Sequence, residues 1–448
     1  MPVDLGAAAE VARNCWMRSA NRSNANNAWY VNTSGNGNNN NANNGNYAAP
    51  DCVGHGREKA RLQGGSRPTT GDAGSGGPEP ERAEPMLGDA SGPLAGLAAS
   101  AGRLPEGWLF EALWEASWKC QRGVTWKRPV AHFALNRAEQ CLRLEDEILG
   151  GRYECGDVKA FEVRRPKPRQ IVAGRYRDRV VQRSLVDREV MDAMSKSFVR
   201  DNYACQEGKG TDDARERMKA HLHRHYRLHG ADGWVLYFDV AGYYRSMPHA
   251  VAEAALAYRL SPQALELALQ ALSVYPGEVG YNPGSQLVQV LGLSVLDPLD
   301  HLLKESLGLP LYCRYMDDGV GIDVDREAQR ERLRAVGVWL EERGMALNRR
   351  KSAVTPLRCG VRFLGFDFRL TETGRVLMTL PGAKVREYRR DMRRLAMAVR
   401  AGAVPISAAD ASVAGRVAHA AKGDSKRVPR ELGRYWKSLT GDIKREDK

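Results

Sequence analysis

The sequence lacks the features that mark secreted, membrane-spanning and zinc-binding proteins. No run of about 18 apolar residues occurs in the 448-residue chain, and residues 1–18 contain no continuous apolar segment of the kind found in signal peptides. The eight cysteines are scattered, with no C-x-x-C pair and no histidine spacing typical of zinc ligands. We therefore expect reduced thiols in a cytoplasmic protein with no membrane partner.

Asparagine is scarce after residue 104 but abundant before it. Residues 105–448 contain four asparagines, whereas residues 21–46 contain 13 in 26 positions, and residues 64–93 are rich in Gly, Pro and Ser. A segment of this composition buries too little apolar surface to offset the entropy lost on ordering. We predict that residues 1–104 are a disordered, low-complexity segment and that the folded part begins near residue 105.

The charge balance is positive. Lys and Arg exceed Asp and Glu by 67 to 54, which gives a net charge of +13 and a pI near 9.4. This excess suits a polyanionic partner such as nucleic acid, and it is equally consistent with a solvated basic surface.

Helical and strand patterns alternate after residue 105 without the strict repeat of a doubly wound sheet, so we predict the α+β class. A nearly continuous apolar run, "GWVLYFDV", predicts a buried strand, and "LPLYCRYMDDGVGIDV" predicts two short strands around a tight turn. We also predict single helices for "HFALNRAEQCLRLEDEILGG" and "PGSQLVQVLGLSVLDPLDHLLKESLG", one strand for "VRFLGFDFRL", and basic helices after residue 380.

Two adjacent carboxylates, Asp317 and Asp318, lie at the predicted hairpin tip, and Asp239 lies near the end of the apolar strand. Like charges in a cleft raise each other's pKa unless a cation neutralises them. Mg²⁺ prefers such oxygen ligands, and three carboxylates can hold two metal ions about 4 Å apart for nucleotidyl transfer. A turn-filling role for the two aspartates is the plain alternative.

The sequence resembles the reverse transcriptases over residues 105–448. The resemblance is carried by blocks in the order of the family: "RRPKPRQIVAGRYRDRVVQRSLVDREV", "DNYACQEGKGTDDARERM", "YFDVAGYYRSMPH", "NPGSQLVQVLGL", "YMDD", "LNRRKS", "VRFLGFDF" and "SVAGRVAHAAKGDSKRV". It implies a right-hand polymerase fold with fingers (105–230), a palm with an antiparallel sheet and the catalytic site (231–380), and a helical basic thumb (381–448).

The resemblance also implies roles for individual residues. The metal ligands would be Asp239, Val240, Asp317 and Asp318, and the metal would be two Mg²⁺ ions, with Mn²⁺ as a substitute. The residues at the nucleotide and template would be Lys167, Arg169, Tyr244, Gly284 and Gln289, with Tyr244 as the gate that rejects a 2′-hydroxyl. Lys351 would protonate the departing pyrophosphate, and Phe363, Leu364 and Gly365 would grip the primer.

The implied partners are a template RNA, a DNA or RNA primer, dNTPs and a small, basic, oligomeric accessory protein. The G-x-x-x-x-Q pattern from Gly284 to Gln289 is most similar to the enzymes of diversity-generating retroelements, although Val288 replaces their serine. The implied location is the bacterial cytoplasm, with a bacterial or phage gene.

The asparagine-rich stretch is similar to the variable region of retroelement target proteins. Asparagine codons begin with two adenines, and adenine is the base that these retroelements mutate. We therefore hypothesise that residues 1 to about 60 are a read-through of a template repeat upstream of the polymerase gene, with Met86 as the predicted start. An ordinary asparagine-rich tail is the alternative.

Three other functions stay open at this stage. The chain could be a phage-defence, retron or group II intron-like reverse transcriptase, a non-catalytic RNA-binding protein that keeps the fold, or an enzyme that copies RNA into RNA. Retention of all three aspartates disfavours the second function, and the bulk of Tyr244 disfavours the third.

Overall fold

The computed structural model describes residues 108–163, 169–281 and 284–442. The predicted disordered segment, residues 1–104, and the predicted phosphate-binding residue Lys167 lie outside these ranges. Helices and strands are interleaved along the described chain, which confirms the α+β class.

The amino-terminal half of the described chain is mainly helical, with one isolated hairpin. Its elements are α1 (Trp108–Gln121), α2 (Arg128–Leu135), α3 (Arg137–Leu149), β1 (Lys159–Val163), β2 (Arg169–Ala173), α4 (Tyr176–Leu185), a π-helical turn (Val186–Val190), α5 (Met191–Ser195) and α6 (Thr211–His229). Strands β1 and β2 pair antiparallel.

The middle of the chain holds the central sheet and the helices beneath it. Its elements are β3 (Trp234–Asp239), α7 (Tyr243–Ser246), α8 (His249–Ala257), α9 (Pro262–Leu272), α10 (Gln286–Val295), α11 (Asp297–His301), a second π-helical turn (Leu302–Ser306), β4 (Tyr312–Tyr315), β5 (Asp318–Asp323), α12 (Arg326–Glu341) and β6 (Ala353–Pro356). The four strands lie in the order β4-β5-β3-β6, and every neighbouring pair is antiparallel.

The carboxyl-terminal part begins with a small sheet and ends in helices. Its elements are a 3₁₀ turn (Leu357–Cys359), β7 (Val361–Phe363), β8 (Phe366–Leu370), β9 (Val376–Thr379), α13 (Gly382–Arg400), α14 (Ile406–Ala421) and α15 (Arg427–Thr440). On α13, four exposed arginines at helical spacing give one face a strong positive charge: Arg386, Arg390, Arg393 and Arg394.

Strand β3 separates two apolar cores because successive side chains of a strand point to opposite faces. Leu236 and Phe238 pack into a core that also contains α10, whereas Val235 packs into a core formed with β7, β8 and α13. The sheet is therefore covered on both faces, which explains the apolar sequence of β3. The packing on both faces also holds the carboxyl end of β3, at Asp239, in place.

Three predicted elements are wrong in detail. The single helix predicted from residue 283 to residue 308 is divided at Leu296 into α10 and α11, and Pro298 lies in the first turn of α11. The predicted strand "VRFLGFDFRL" is a hairpin, because Leu364 (φ 47°) and Gly365 (φ 82°) form a tight turn between β7 and β8. The predicted helix beginning at His132 is two helices that meet at Asn136, whose side-chain amide bonds the carbonyl of His132 at 3.2 Å. Among the described helices, none is both long and apolar enough to span a membrane.

The cysteines also differ from the prediction at one position. Five of them have free thiols: Cys120, Cys141, Cys155, Cys205 and Cys313. Cys359 is disulfide-bonded, so the prediction of reduced thiols is wrong there.

Candidate active site

The end of the central sheet brings two carboxylates face to face. In the antiparallel pairing of β3 with β5, Asp239 is the direct partner of Asp318. Directly opposed residues have Cβ atoms about 4.5–5.5 Å apart. Both residues are buried, with 3% and 7% of their surfaces exposed. The sequence predicted that these two acids meet, and the register shows how.

The third predicted acid lies one residue away, in the turn between β4 and β5. This turn consists of Met316 and Asp317, because Tyr315 and Asp318 are already paired. Burial, followed by the charge of Asp239, raises the pKa of Asp317 to about 6. Burial, the charge of Asp317 and a hydrogen bond with Asp239 raise the pKa of Asp318 well above its usual range. Asp239, Asp317 and Asp318 therefore repel one another strongly.

The carboxylate of Asp239 is held by the loop before β6. The side-chain amide of Asn348 donates to Asp239 Oδ1 at 2.7 Å, and Lys351 Nζ lies 2.5 Å from Oδ2. The backbone N–H of Asp239 donates to the hydroxyl of Ser352 at 3.1 Å. The ion pair with Asp239 raises the pKa of Lys351 although burial lowers it, so this lysine stays protonated at neutral pH.

The donor set of this cluster fits divalent metal ions. Three carboxylates converge at one edge of the sheet, and the raised pKa values of Asp317 and Asp318 show that Lys351 does not balance the negative charge there. Hard carboxylate oxygens with excess negative charge are the ligands that Mg²⁺ prefers. Val240, the fourth predicted ligand, follows at the end of β3, is buried and forms a β-bridge with Leu347; its role stays a prediction.

Tyr244 lies beside the same turn. Its hydroxyl contacts Met316 Sδ at 3.7 Å, and its ring packs against α10 at Gly292. A Cβ atom at position 292 would lie 3.0 Å from Tyr244 Cε1 and 3.1 Å from its hydroxyl, which is closer than nearly all such contacts. Glycine at this position therefore provides the space in which the Tyr244 ring lies.

Gln289, one helical turn before Gly292, accepts a hydrogen bond from the thiol of Cys205 at 3.5 Å. Gly284 precedes α10, and a Cβ atom there would lie 3.3 Å from the carbonyl oxygen of Val172 on β2. Arg169 begins β2 and pairs with Val163. The amino-terminal end of α10 therefore lies against β2, the strand that begins at the predicted phosphate-binding residue Arg169.

The predicted primer-grip residues are not part of the carboxylate cluster. Phe363 and Leu364 are 0% and 1% exposed and belong to the core between the sheet and α13. Their side chains are therefore unavailable to a ligand, and any contact with a primer would come from the turn itself at Gly365. Arg215 on α6 donates to the carbonyl of Leu364 through two nitrogens, at 3.2 and 2.8 Å.

A basic cavity adjoins Lys351 and is lined mainly by residues of β6 to β9. It has a volume of about 460 Å³. Besides Lys351, three arginines and one acid contribute charge to its lining: Arg350, Arg362, Arg369 and Asp367. Positive charge beside the carboxylates suits the phosphates of a nucleic acid.

Several residues that support the site were not singled out in the sequence. Asn348 and Ser352 contact Asp239, and Arg314 with Asp300 lies beneath the turn. Arg314 could have been noticed as a charged residue inside an otherwise apolar strand. Nothing local in the sequence marks its partner Asp300, which lies on α11.

A second cluster with possible metal ligands lies on the other side of β4. Asp201, His221 and Cys313 are buried, with ligand atoms within 4.8 Å of one another. Arg217 Nε donates to Asp201 Oδ1 at 2.6 Å, and Lys304 pairs with Oδ2. Although burial raises it, these hydrogen bonds hold the pKa of Asp201 below its usual value. Protein cations already neutralise this carboxylate.

Comparison with known proteins defines the class of this site. Residues 164–368 match the family model described as "Reverse transcriptase (RNA-dependent DNA polymerase)". The chain therefore contains a reverse transcriptase domain, which is the domain of RNA-directed DNA polymerases, a class of nucleotidyltransferases. Reverse transcriptases generally use divalent metal ions. No curated protein matches the chain.

Solved structures of two telomerases are similar to the chain. A telomerase from Candida albicans, in complex with the TWJ fragment of telomeric RNA, has 13% identity and a TM-score of 0.37, over 54% of this chain and 50% of that one. An apo telomerase from Candida tropicalis, truncated from its C-terminal domain, has 13% identity and a TM-score of 0.37, over 50% of this chain and 54% of that one. The chain thus spans about half the length of each telomerase.

Proposed function

We propose that the chain is an active RNA-directed DNA polymerase that copies a template RNA into cDNA. The observation that carries this proposal is the pairing of Asp239 with Asp318 across β3 and β5, with Asp317 in the adjoining turn. These three carboxylates would hold two Mg²⁺ ions. When bound, the ions would activate the attacking 3′-hydroxyl and stabilise the pyrophosphate leaving group.

The residues around the carboxylates have separate tasks in this proposal. Asn348 and Ser352 hold Asp239 in one orientation. Lys351, which is protonated at neutral pH, is the proton donor to the departing pyrophosphate. Lys351 is paired with Asp239 at 2.5 Å. If a cation neutralised Asp239, Lys351 would be free to donate its proton to the leaving oxygen of pyrophosphate.

The nucleotide would lie between α10 and the β1–β2 hairpin. Lys167 and Arg169 would bind its triphosphate, and Gly284 and Gln289 would contact the template base and the nucleotide. Tyr244 would lie under the sugar and exclude a 2′-hydroxyl. The contact of Tyr244 with Met316 and its packing against Gly292 support this role, because they fix the ring beside the carboxylates.

The template–primer duplex would follow the basic surfaces. The cavity beside Lys351 and the exposed arginines of α13 lie on the parts that we assign to the palm (231–380) and the thumb (381–448). Binding through phosphate contacts weakens steeply with salt. We assign residues 105–230 to the fingers, and the turn at Phe363, Leu364 and Gly365 to the primer grip through its backbone.

A primer-extension assay with an RNA template, a DNA primer, dNTPs and Mg²⁺ tests this function. The full chain should extend the primer, whereas Asp317→Asn should not, and both should bind the template–primer with similar affinity. The matched control is Asp192→Asn, which removes an exposed carboxylate paired with Lys196 and should extend primers normally. Binding without extension by the wild type would instead indicate a non-catalytic RNA-binding protein.

We further propose that the enzyme acts in a diversity-generating retroelement of a bacterium or phage, in the cytoplasm, with a small basic accessory protein. The pattern from Gly284 to Gln289 and the asparagine-rich segment support this subtype. Sequencing the DNA around the gene should find a repeat pair that differs at adenines. Absence of such a pair, with a native chain that starts at Met1, would favour a phage-defence, retron or intron-like enzyme.

A further inference from the structure

The turn that carries Asp317 has a strained backbone. Two-residue hairpin turns use left-handed backbone conformations, for which glycine or asparagine is preferred. The first residue of this turn is Met316, with φ 57°. A side chain on a left-handed residue contacts the backbone unfavourably. Surrounding contacts must therefore hold Met316 in this conformation.

Arg314 supplies one such contact from below. Its Nη1 donates to the carbonyl of Met316 at 2.7 Å, and its Nη2 donates to the carbonyl of Leu293 on α10 at 3.2 Å. The guanidinium is 0% exposed. Since Arg314 lies two residues before Met316, the strand and its own turn are tied together from inside the protein.

A carboxylate on a helix fixes the orientation of this guanidinium. Asp300 on α11 accepts from Arg314 Nε at 2.7 Å and from Nη2 at 2.6 Å, in the bidentate geometry that suits arginine. Tyr312 donates to Asp300 Oδ1 at 2.8 Å. The position of the turn is therefore set by α10 and α11, on which Leu293 and Asp300 lie.

A similar arrangement occurs at another turn with a left-handed, non-glycine residue. Leu364, between β7 and β8, has φ 47°, and Arg215 donates twice to its carbonyl. Arg332 on α12 makes a comparable fork, with Asp323 and the carbonyls of Leu307 and Gly308. The residue with left-handed backbone that Arg332 contacts is a glycine (Gly308, φ 60°), which adopts this conformation without strain.

We propose that Arg314 is the positioning residue of the catalytic turn. Through the Met316 carbonyl, its guanidinium stabilises the left-handed backbone and thereby sets Asp317 relative to Asp239 and Asp318. This inference rests on the proposed polymerase function, since it names a residue that serves the same carboxylates. Asp300 acts one step further away, by orienting Arg314.

The test separates positioning from simple loss of stability. Arg314→Lys keeps the charge but loses the several hydrogen bonds that the planar guanidinium makes to Asp300, Met316 and Leu293. A displacement of a reacting group by about 1 Å costs on the order of 10²-fold in rate. We expect kcat for primer extension to fall by about that factor while KM for dNTP changes less than about threefold. Met316→Gly, which removes the need for a strained backbone, should restore kcat at least about fivefold in the Arg314→Lys protein.

Arg332→Lys is the matched control. It breaks a fork of the same kind at the other end of β5, and it should lower the melting temperature without changing kcat at a temperature where the protein is folded. A loss of kcat at Arg314 that glycine at 316 does not rescue would overturn the proposal, as would normal kcat in Arg314→Lys. Should Arg314→Lys not fold, Asp300→Asn with and without Met316→Gly provides the same comparison.

Manganese binding tests the inference independently of polymerase activity. In the full chain, Mn²⁺ titration followed by electron paramagnetic resonance should show about tenfold weaker binding in Arg314→Lys, with recovery when Met316 is replaced by Gly. If the variants show this pattern of Mn²⁺ affinity but the wild type extends no primer, the proposed function alone is refuted. Unchanged Mn²⁺ affinity in Arg314→Lys would refute the positioning role alone.

Discussion

Two carboxylate sites adjoin the central sheet, Asp201 beside β4 and the three aspartates Asp239, Asp317 and Asp318 where β3 pairs with β5, and their surroundings shift the pKa in opposite directions. Asp201 is bonded by Arg217 and Lys304, and its pKa is lowered. Asp317 and Asp318 face Asp239 with Lys351 as the cation at Asp239, and their pKa values are raised. The first arrangement stabilises the fold. The second destabilises the metal-free fold when its carboxylates are ionised, and a bound cation would offset their repulsion.

The difference separates a carboxylate that is paired within the protein from the carboxylates that we propose as metal ligands. Both groups contain candidate metal ligands, and the Asp201 cluster even includes a histidine and a cysteine. They differ in charge balance within the protein: Asp201 is paired with Arg217 and Lys304, whereas Lys351 is the cation paired with the three aspartates Asp239, Asp317 and Asp318. Perturbed carboxylates in a cleft are functional candidates for this reason.

The largest expected effect is a loss of primer extension when one of the three aspartates Asp239, Asp317 and Asp318 is replaced. Asp318→Asn should reduce primer extension by at least about 10³-fold, because a metal ligand is lost. The same change removes one of three repelling charges, so the metal-free protein should melt at a higher temperature than the wild type. The measurements are single-turnover extension and thermal unfolding in EDTA. A lower melting temperature would contradict the claim that these carboxylates destabilise the metal-free fold.

The next largest expected effect is a loss of folding stability when Asp201 no longer pairs with its two cations. Asp201→Asn leaves Arg217 and Lys304 without their carboxylate, and loss of one partner from a buried ion pair costs about 3 kcal/mol or more. We expect the free energy of unfolding to fall by about that amount in urea titrations, while kcat of the folded protein changes little. Asp192→Asn, at an exposed ion pair, is the control and should cost less than about 1 kcal/mol.

A smaller effect is the pH dependence of stability, which should have opposite signs in the two groups. The raised pKa of Asp317, about 6 in the folded state, means that its contribution to metal-free stability is present below pH 4 and is lost as pH rises through 6. The lowered pKa of Asp201 means that its contribution is present above pH 4 and is lost as pH falls further.

Urea titrations of the wild type, Asp317→Asn and Asp201→Asn in EDTA measure these signs. Between pH 4 and 7, Asp317→Asn should gain about 1–3 kcal/mol relative to the wild type. Added Mg²⁺ should stabilise the wild type more at pH 7.5 than at pH 5, because protonated carboxylates bind it poorly. An equal Mg²⁺ effect at both values would contradict the assignment of Asp317 as a ligand.

The smallest effect concerns the metal affinity of the Asp201 cluster. Because Arg217 and Lys304 hold its carboxylate, added Zn²⁺ should change the melting temperature of the wild type and of Cys313→Ala by the same amount. Thermal unfolding with and without Zn²⁺ measures this. A stabilisation that disappears with Cys313 would show that the cluster is a metal site after all.

The edge of the sheet where the three aspartates meet was predictable because local patterns determine it. The apolar run ending at Asp239 and the short strands around Met316 and Asp317 each indicate their own structure, and the family resemblance grouped the three aspartates as metal ligands. The resemblance also led to Lys351, which the structure brings to Asp239 at 2.5 Å.

Contacts between distant segments were not predictable in the same way. The sequence from Val361 to Leu370 alternates like one strand, and its turn at Leu364 is held by Arg215, which is 149 positions away in the chain. Likewise, Asp300 is recognised as a support of the catalytic turn only once α11 lies beneath β4. The helix predicted across Asn136 failed because a single polar residue ended one helix and began the next.

Under the role proposed for Tyr244, the missing side chain at Gly292 would allow sugar selection to be changed from α10. A methyl group introduced there would force the ring of Tyr244 to move by a few tenths of an ångström. An engineer who wants a stricter or looser choice between ribose and deoxyribose therefore has a handle on α10, outside the set of residues that would contact substrate.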